Sequence, residues 1–324
     1  MVSLSAELLK YRGRLDSSVI FCAILQGKSA NTLKSYKSAF RPWKKFAADN
    51  GLMVFPIDRI EFMVFLIHRA EAGASWSTLN LCINSVKFFL QLFRRDNVCN
   101  DIVDFQVMHF LKKCSRKPDR KMRPLTKAEF DLIISKHLFV KTLEILRNLC
   151  ILIFGWIGFL RYDDLAQIKC CNLQIVHDEV RLKLFDAKND KFKKGQNIRF
   201  RLNAVLLGIF KRYILVSGLN GYMKDPNVFL FCNVLNNKCD FVDKLSYSRV
   251  RKALLSLCNF AGVNSERIGT HSLRIGGCTE ASKRGVPDYI LDFHGRWALN
   301  SVSRARYQRV VGEDAVLVSE VLNF

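Results

Sequence analysis

Residues 269–309 read GTHSLRIGGCTEASKRGVPDYILDFHGRWALNSVSRARYQR. His271 and Arg274 stand at i and i+3 behind Thr270, so on a helix they share one face. Gly285 followed by Pro287 marks a helix stop and restart. Past the next short helix and a turn stands Tyr307, flanked by Arg304, Arg306 and Arg309. Two readings are open. One is a tyrosine that attacks a phosphate, with a His–Arg anion clamp beside it. The other is a surface helix with one half-buried tyrosine, and H-x-x-R is too short a pattern to choose between them.

Composition narrows the partner. At 324 residues two domains are expected, each able to bury its own core. Hydrophobic residues make up 49% and phenylalanines number 25, which excludes a disordered chain. A net charge of +22 calls for a polyanion, most simply nucleic acid, with an anionic membrane surface as the competitor. The 11 cysteines include no C-x-x-C pair, and the adjacent Cys170 and Cys171 suit neither a zinc knuckle nor a routine disulfide. Reduced thiols in a cytosolic or nuclear setting are expected. The start, MVSLSAELLKYRGRLD, has no sustained apolar region, so no secretory signal is expected. The longest apolar run, 149–160, is too short to span a bilayer and is interrupted by Gly155 and Gly158. A soluble protein without a membrane partner follows.

Along the chain, 1–28 is an N-terminal extension and 29–113 a helical module. Leu33, Tyr36, Phe40, Trp43 and Phe46 recur at steps of three and four, with Lys34, Lys37, Arg41, Lys44 and Lys45 on the remaining surface. A second helix after Pro56 places Ile60, Val64 and Ile67 on one stripe. A third, capped by Ser75 or Ser77, repeats Leu79, Ile83, Val86, Leu90 and Phe93, and a fourth spans 101–113. Residues 114–125 are a basic linker. Together with Lys112 and Lys113 it carries Arg116, Lys117, Arg120, Lys121 and Arg123, a charge run suited to lie along a phosphate backbone or to serve nuclear import.

Thr126 and Glu129 form a capping-box pattern that opens a second domain, 126–324. Helices are expected over 127–136 and 140–154, with a break at 155–160 and a short helix after Arg161. Strands are expected at Leu173–Val176, 180–187 and 197–202, and further helices near 203–217 and 246–260 with an apolar stretch, 227–231, between them. The fold class is mainly α with one small three-stranded antiparallel sheet.

Arg161 precedes a helix whose first turn carries Asp163 and Asp164. It reads either as an anion clamp or as a structural partner of Asp164. Lys188 lies at a hairpin tip with Lys191, Lys193 and Lys194, where a solvated turn is the default, and Trp297 alone reads as a core anchor. Arg161 before YDDL, Lys188 in its turn, HSLR at 271–274, GRW at 295–297 and Tyr307 together have the order and approximate spacing of the tyrosine recombinases. The chain resembles that superfamily over nearly its whole length. Within it, AKNDKFKKG, HSLRIGG and GRW look most similar to the eukaryotic mobile-element branch, the DIRS-type and crypton recombinases.

The resemblance implies an all-helical core-binding domain at 29–113 and a catalytic domain at 126–324. It also implies DNA breaking and rejoining through a 3′-phosphotyrosyl link, with no cofactor, metal or ATP. Tyr307 is then the nucleophile, and Arg161 and Arg274 hold the phosphate oxygens. His271 manages the tyrosine proton or donates to phosphate, Lys188 protonates the leaving oxygen, Trp297 donates through its indole N–H, and Asp164 orients the Arg161 region. Better-known members place a His or Trp about nine residues before the tyrosine. Trp297 is ten before Tyr307, with His294 the alternative. The implied partners are double-stranded DNA and three further copies, in a homotetramer on paired DNA sites that the apolar tail 312–324 would join. The implied location is the nucleus in a eukaryote and the cytoplasm otherwise. A type IB topoisomerase-like relaxase and a domesticated DNA-binding protein that no longer cleaves are the rival readings.

Overall fold

The computed structural model describes residues 25–92, 102–115, 122–140, 142–185, 195–297, 304 and 307. The chain divides into two compact units, Met1–Asp119 and Arg120–Phe324. Lys188, Lys191, Lys193, Lys194, Arg116, Lys117, Arg120, Lys121, the tail 312–324 and most of the extension 1–28 lie outside the described residues.

Among its described residues the first unit packs four helices: α1 (Ala30–Asp49), α2 (Arg59–Glu71), α3 (Trp76–Leu92) and α4 (Phe105–Cys114). Short polar side chains start three of them by taking up free backbone N–H groups. Ser29 accepts from Thr32 N, Asp58 from Ile60 N and Glu61 N, and Asp104 from Gln106 N. Trp43 is fully buried at the centre, ringed by Phe46, Phe62 and Phe65. Buried side-chain bonds to backbone, from Ser85 Oγ to Tyr36 O at 2.7 Å and from Cys82 Sγ to Ala39 O at 3.3 Å, tie α3 to α1. The expected stripe on α2 is corrected. Of the stripe only Ile67 packs against the core; Ile60 and Val64 face outward, and the core takes Phe62, Phe65, Leu66 and Ala70. Both sets fit a helical period, and the aromatic set buries more apolar area. Lys34, Lys37, Arg41, Lys44, Lys112 and Lys113 are all exposed.

The second unit is built on α6 (Leu143–Ile157), which is buried along almost its whole length. Before it comes α5 (Lys127–His137), opened by the reciprocal Thr126–Glu129 capping box. After it come α7 (Tyr162–Gln167), the antiparallel sheet β1 (Leu173–Val176), β2 (Glu179–Leu184) and β3 (Gln196–Arg201), and α8 (Ala204–Ser217). Then follow α9 (Tyr247–Phe260), α10 (Thr270–Lys283) and α11 (Asp288–Gly295). Between α8 and α9 the chain forms a second sheet, β4 (Cys232–Leu235) and β5 (Lys238–Lys244), where no hairpin was expected. Its turn is Asn236-Asn237, both in the left-handed region that asparagine tolerates, with φ of 49° and 58°.

The break expected over 155–160 falls at Gly158, and α6 runs to Ile157 rather than ending at 154. Gly155 stays within the helix, and its lack of a side chain makes room for Leu273 of α10. On the facing side, a Cβ at Gly276 would overlap the carbonyl oxygen of Leu125, and one at Gly277 that of Trp156. Glycine on both helices lets α10 come into backbone contact with α6, and this seats His271 and Arg274. None of the helices among the described residues is long and apolar enough to cross a membrane.

Candidate active site

The carbonyl of Phe159 is the pivot of the site. Just past the end of α6, Phe159 has a φ of 49°, a strained setting for a residue with a side chain, worth about 1–3 kcal/mol. This conformation turns its carbonyl toward two guanidinium groups. Arg274 donates to it through Nη1, and Arg296 through Nη2 at 3.4 Å. Arg274 also donates through Nη2 to Gly295 O. Arg274 has 0% of its surface exposed, on an arginine that no carboxylate contacts directly among the described residues. Burial, and then the like charges of Arg161 and Arg296, push its pKa down to about 9, while Tyr307 and Asp164 oppose the shift.

The carboxylate that meets this cluster is already engaged. Asp164, also buried, accepts from Arg296 Nη2 at 2.6 Å and from the backbone N–H of Arg161 at 2.9 Å. Its ion-pair partner is thus Arg296 and not the side chain of Arg161. Among the described residues the Arg161 guanidinium has no ion-pair partner. Of the three guanidiniums, buried in Arg274 and Arg296 and half-buried in Arg161, only that of Arg296 pairs with Asp164, so the site has an excess of positive charge that favours an anion. Replacing Asp164 with Asn would leave Arg296 buried without its counter-charge. The expected loss is about 3 kcal/mol of stability, read as a lower denaturant midpoint.

Tyr307 is brought onto this cluster. Its ring lies 5.0 Å from the Arg274 guanidinium, 5.2 Å from the Trp297 ring and 6.3 Å from the His271 ring. Arg274 also lies over the Trp297 ring at 4.2 Å, so one guanidinium contacts both aromatic faces. Arg304 anchors the tyrosine segment. It forms ion pairs with Asp288 at 2.7 Å and Asp292 at 2.8 Å, both on α11, and its carbonyl accepts from Tyr307 N at 2.7 Å. On the other side Thr279 Oγ1 donates to Tyr307 O at 3.1 Å.

His271 is exposed on α10, and Trp297 is buried with an indole N–H that has no hydrogen-bond partner among the described residues. His294 faces elsewhere. Its Nε2 meets Ile157 O at 2.8 Å, and its ring meets Phe159 edge-on. Burial lowers its pKa, so the neutral imidazole is favoured. Of the two residues proposed to precede the tyrosine, Trp297 is the one against its ring.

Of the candidates, Arg161, His271, Arg274, Trp297, Tyr307 and Asp164 fall in one region, and Lys188 lies outside the described residues. Arg123, expected among the DNA-facing cations, is committed within the protein. Its guanidinium pairs with both oxygens of Glu129 at 2.8 and 2.9 Å and donates to the carbonyls of Asn264 and Glu266. Sequence reading missed two contributors, Arg296 as the partner of Asp164 and the carbonyl of Phe159. Arg296 was in view within GRW, but its partner is 132 residues away.

No family model matches the chain, and no curated protein matches it in sequence. Solved structures do match in fold. The XerH site-specific recombinase bound to palindromic difH substrate aligns with a TM-score of 0.61 at 16% identity, over 90% of this chain and 78% of that one. The Tn1549 transposon integrase in complex with circular intermediate DNA aligns at 0.61 and 16%, over 98% and 97%. A lambda integrase tetramer bound to a Holliday junction aligns at 0.59 and 14%, over 89% and 75%. The chain has the fold of the tyrosine recombinases.

Proposed function

We propose that the chain is a site-specific DNA recombinase that cuts and rejoins DNA through Tyr307. The observation that carries this reading is the Tyr307 ring beside the buried Arg274 guanidinium, next to Trp297 and His271. A phenol packed on a cationic site is placed to attack the anion that the site attracts.

In the proposed reaction, the phenolic oxygen of Tyr307 attacks a backbone phosphorus. A P–O bond to the tyrosine forms, the bond to the 5′-oxygen breaks, and the products are a 3′-phosphotyrosine and a 5′-hydroxyl. Arg274 and Arg161 hold the non-bridging oxygens, whose charge grows as the transition state forms. His271 takes the phenolic proton or donates to phosphate, and the Trp297 indole N–H supplies a further donor. Lys188 gives the 5′-oxygen its proton. A 5′-hydroxyl from another strand reverses the attack, and the bond energy kept in the phosphotyrosine makes ATP unnecessary.

The proposal extends to mobilising or integrating a transposable element, in the eukaryotic branch that the HSLRIGG and GRW motifs resemble, with action in the nucleus. It includes DNA recognition by the exposed cations Lys34, Lys37, Arg41 and Lys44 of the first unit. It also includes a homotetramer on paired sites, joined through the apolar tail 312–324. The test of function uses gapped or nicked fragments of pooled genomic DNA, with EDTA present. A protein–DNA adduct that survives denaturing electrophoresis is expected. No adduct on any fragment would overturn the reading.

A further inference from the structure

A cleft of about 350 Å³ lies beside the site, between β3 and α11. Its walls are Asn197, Ile198 and Arg199 on one side and Phe293 and His294 on the other. Phe293 is 82% exposed, on a helix that buries Leu291 but also leaves Tyr289 and Ile290 exposed; of these three exposed apolar residues, Phe293 is the one that lines the cleft. Arg199 stands directly across the sheet from Arg181, a like-charge pairing that is unfavourable without an anion. The nearest acid, Glu179, is bound closely by Arg181 at 2.8 Å and lies 3.9 Å from Arg199, whose side chain is 67% exposed. His294 closes the cleft toward the active site. Held by Ile157 O, it packs on Phe159, whose carbonyl receives Arg274.

An exposed aromatic face, a side-chain amide and a surplus cation around one small cleft are the groups that recognise an unpaired nucleotide. The ring stacks on the base, the amide can both donate to and accept from its edge, and the arginine meets its phosphate. We infer that this cleft takes an unpaired nucleobase of the DNA beside the cleaved phosphate, with Phe293 as the stacking surface, Asn197 on the base edge and Arg199 on the phosphate. This rests on the recombinase reading, because a strand that leaves one partner for another must unpair next to the break. The cleft would hold the freed base during that step.

The test compares two 20-base-pair duplexes, one carrying a single bulged 2-aminopurine and one with 2-aminopurine paired. The full chain is expected to bind the bulged duplex about tenfold more tightly, a typical worth for one stacked base. Phe293→Ala is expected to abolish that preference and keep the affinity for the paired duplex, and Phe293→Trp to retain the preference. Phe293 is surface-exposed, so neither change threatens folding. Equal affinity of the wild type for both duplexes, or a preference that survives Phe293→Ala, overturns this inference alone. Binding to neither duplex overturns it together with the DNA-recombinase reading. A Phe293→Ala protein that changes its oligomeric state and not its base preference assigns the cleft to a second protein copy, and overturns the inference.

Discussion

Gly277→Ala is expected to destabilise the second unit by about 3 kcal/mol, although alanine is the better helix former by about 1 kcal/mol. The added methyl would overlap the carbonyl oxygen of Trp156 and press on the Phe159 ring. A backbone carbonyl inside a fully packed helix cannot swing aside as a flexible side chain can. Helices α10 and α6 would have to part, and the packed interior between them would lose contacts along its length. Gly276→Ala meets the carbonyl of Leu125 and is expected to behave alike. Gly208 supplies the control. It sits in α8 with nothing near its missing Cβ, so Gly208→Ala should raise stability by about 0.4–1 kcal/mol. Denaturant midpoints of the three variants check the sign. A neutral or stabilising Gly277→Ala would mean that the two helices do not meet as closely as described.

Arg274→Lys is expected to lose both activity and stability. A lysine keeps a charge, but its single ammonium cannot bond the carbonyls of Phe159 and Gly295 and also face a phosphate. Stranding buried carbonyls costs about 1–3 kcal/mol each, so a loss of about 3 kcal/mol of stability is expected, read as a lower denaturant midpoint. Removing one donor to a developing oxyanion typically costs about 10²–10³ in rate, and adduct formation should fall by at least that factor. His271→Gln separates the two effects. His271 is exposed, so its change should slow adduct formation and leave the unfolding midpoint nearly unmoved. An Arg274→Lys protein with wild-type cleavage would remove Arg274 from the phosphate site.

Three features that can be read locally in this sequence are present in the structure. The Thr126–Glu129 cap, the three strands of the first sheet and the restart after Gly285 each depend on residues a few positions apart. The α2 stripe was misassigned because RIEFMVFLIHRAE is apolar on more than one face, and periodicity alone does not rank Phe62 above Ile60. The β4–β5 hairpin was missed because its short strands carry Cys, Asn, Lys and Asp in place of a β-branched alternation. In the site, His271, Arg274 and Tyr307 stood out through residue type and order. The pairing of Asp164 with Arg296 and the strained carbonyl of Phe159 are set by tertiary packing, and no local pattern encodes them.

The central claim is that Tyr307 forms the covalent bond to DNA. The direct measurement is to trap the adduct on a nicked substrate, digest the DNA and the protein, and locate the residue that carries the nucleotide by mass spectrometry. A 3′-phosphonucleotide is expected on the Tyr307 peptide and no adduct from Tyr307→Phe, whose fold should be intact because only a hydroxyl is lost. A nucleotide on any other residue, or an adduct that persists in Tyr307→Phe, would contradict it.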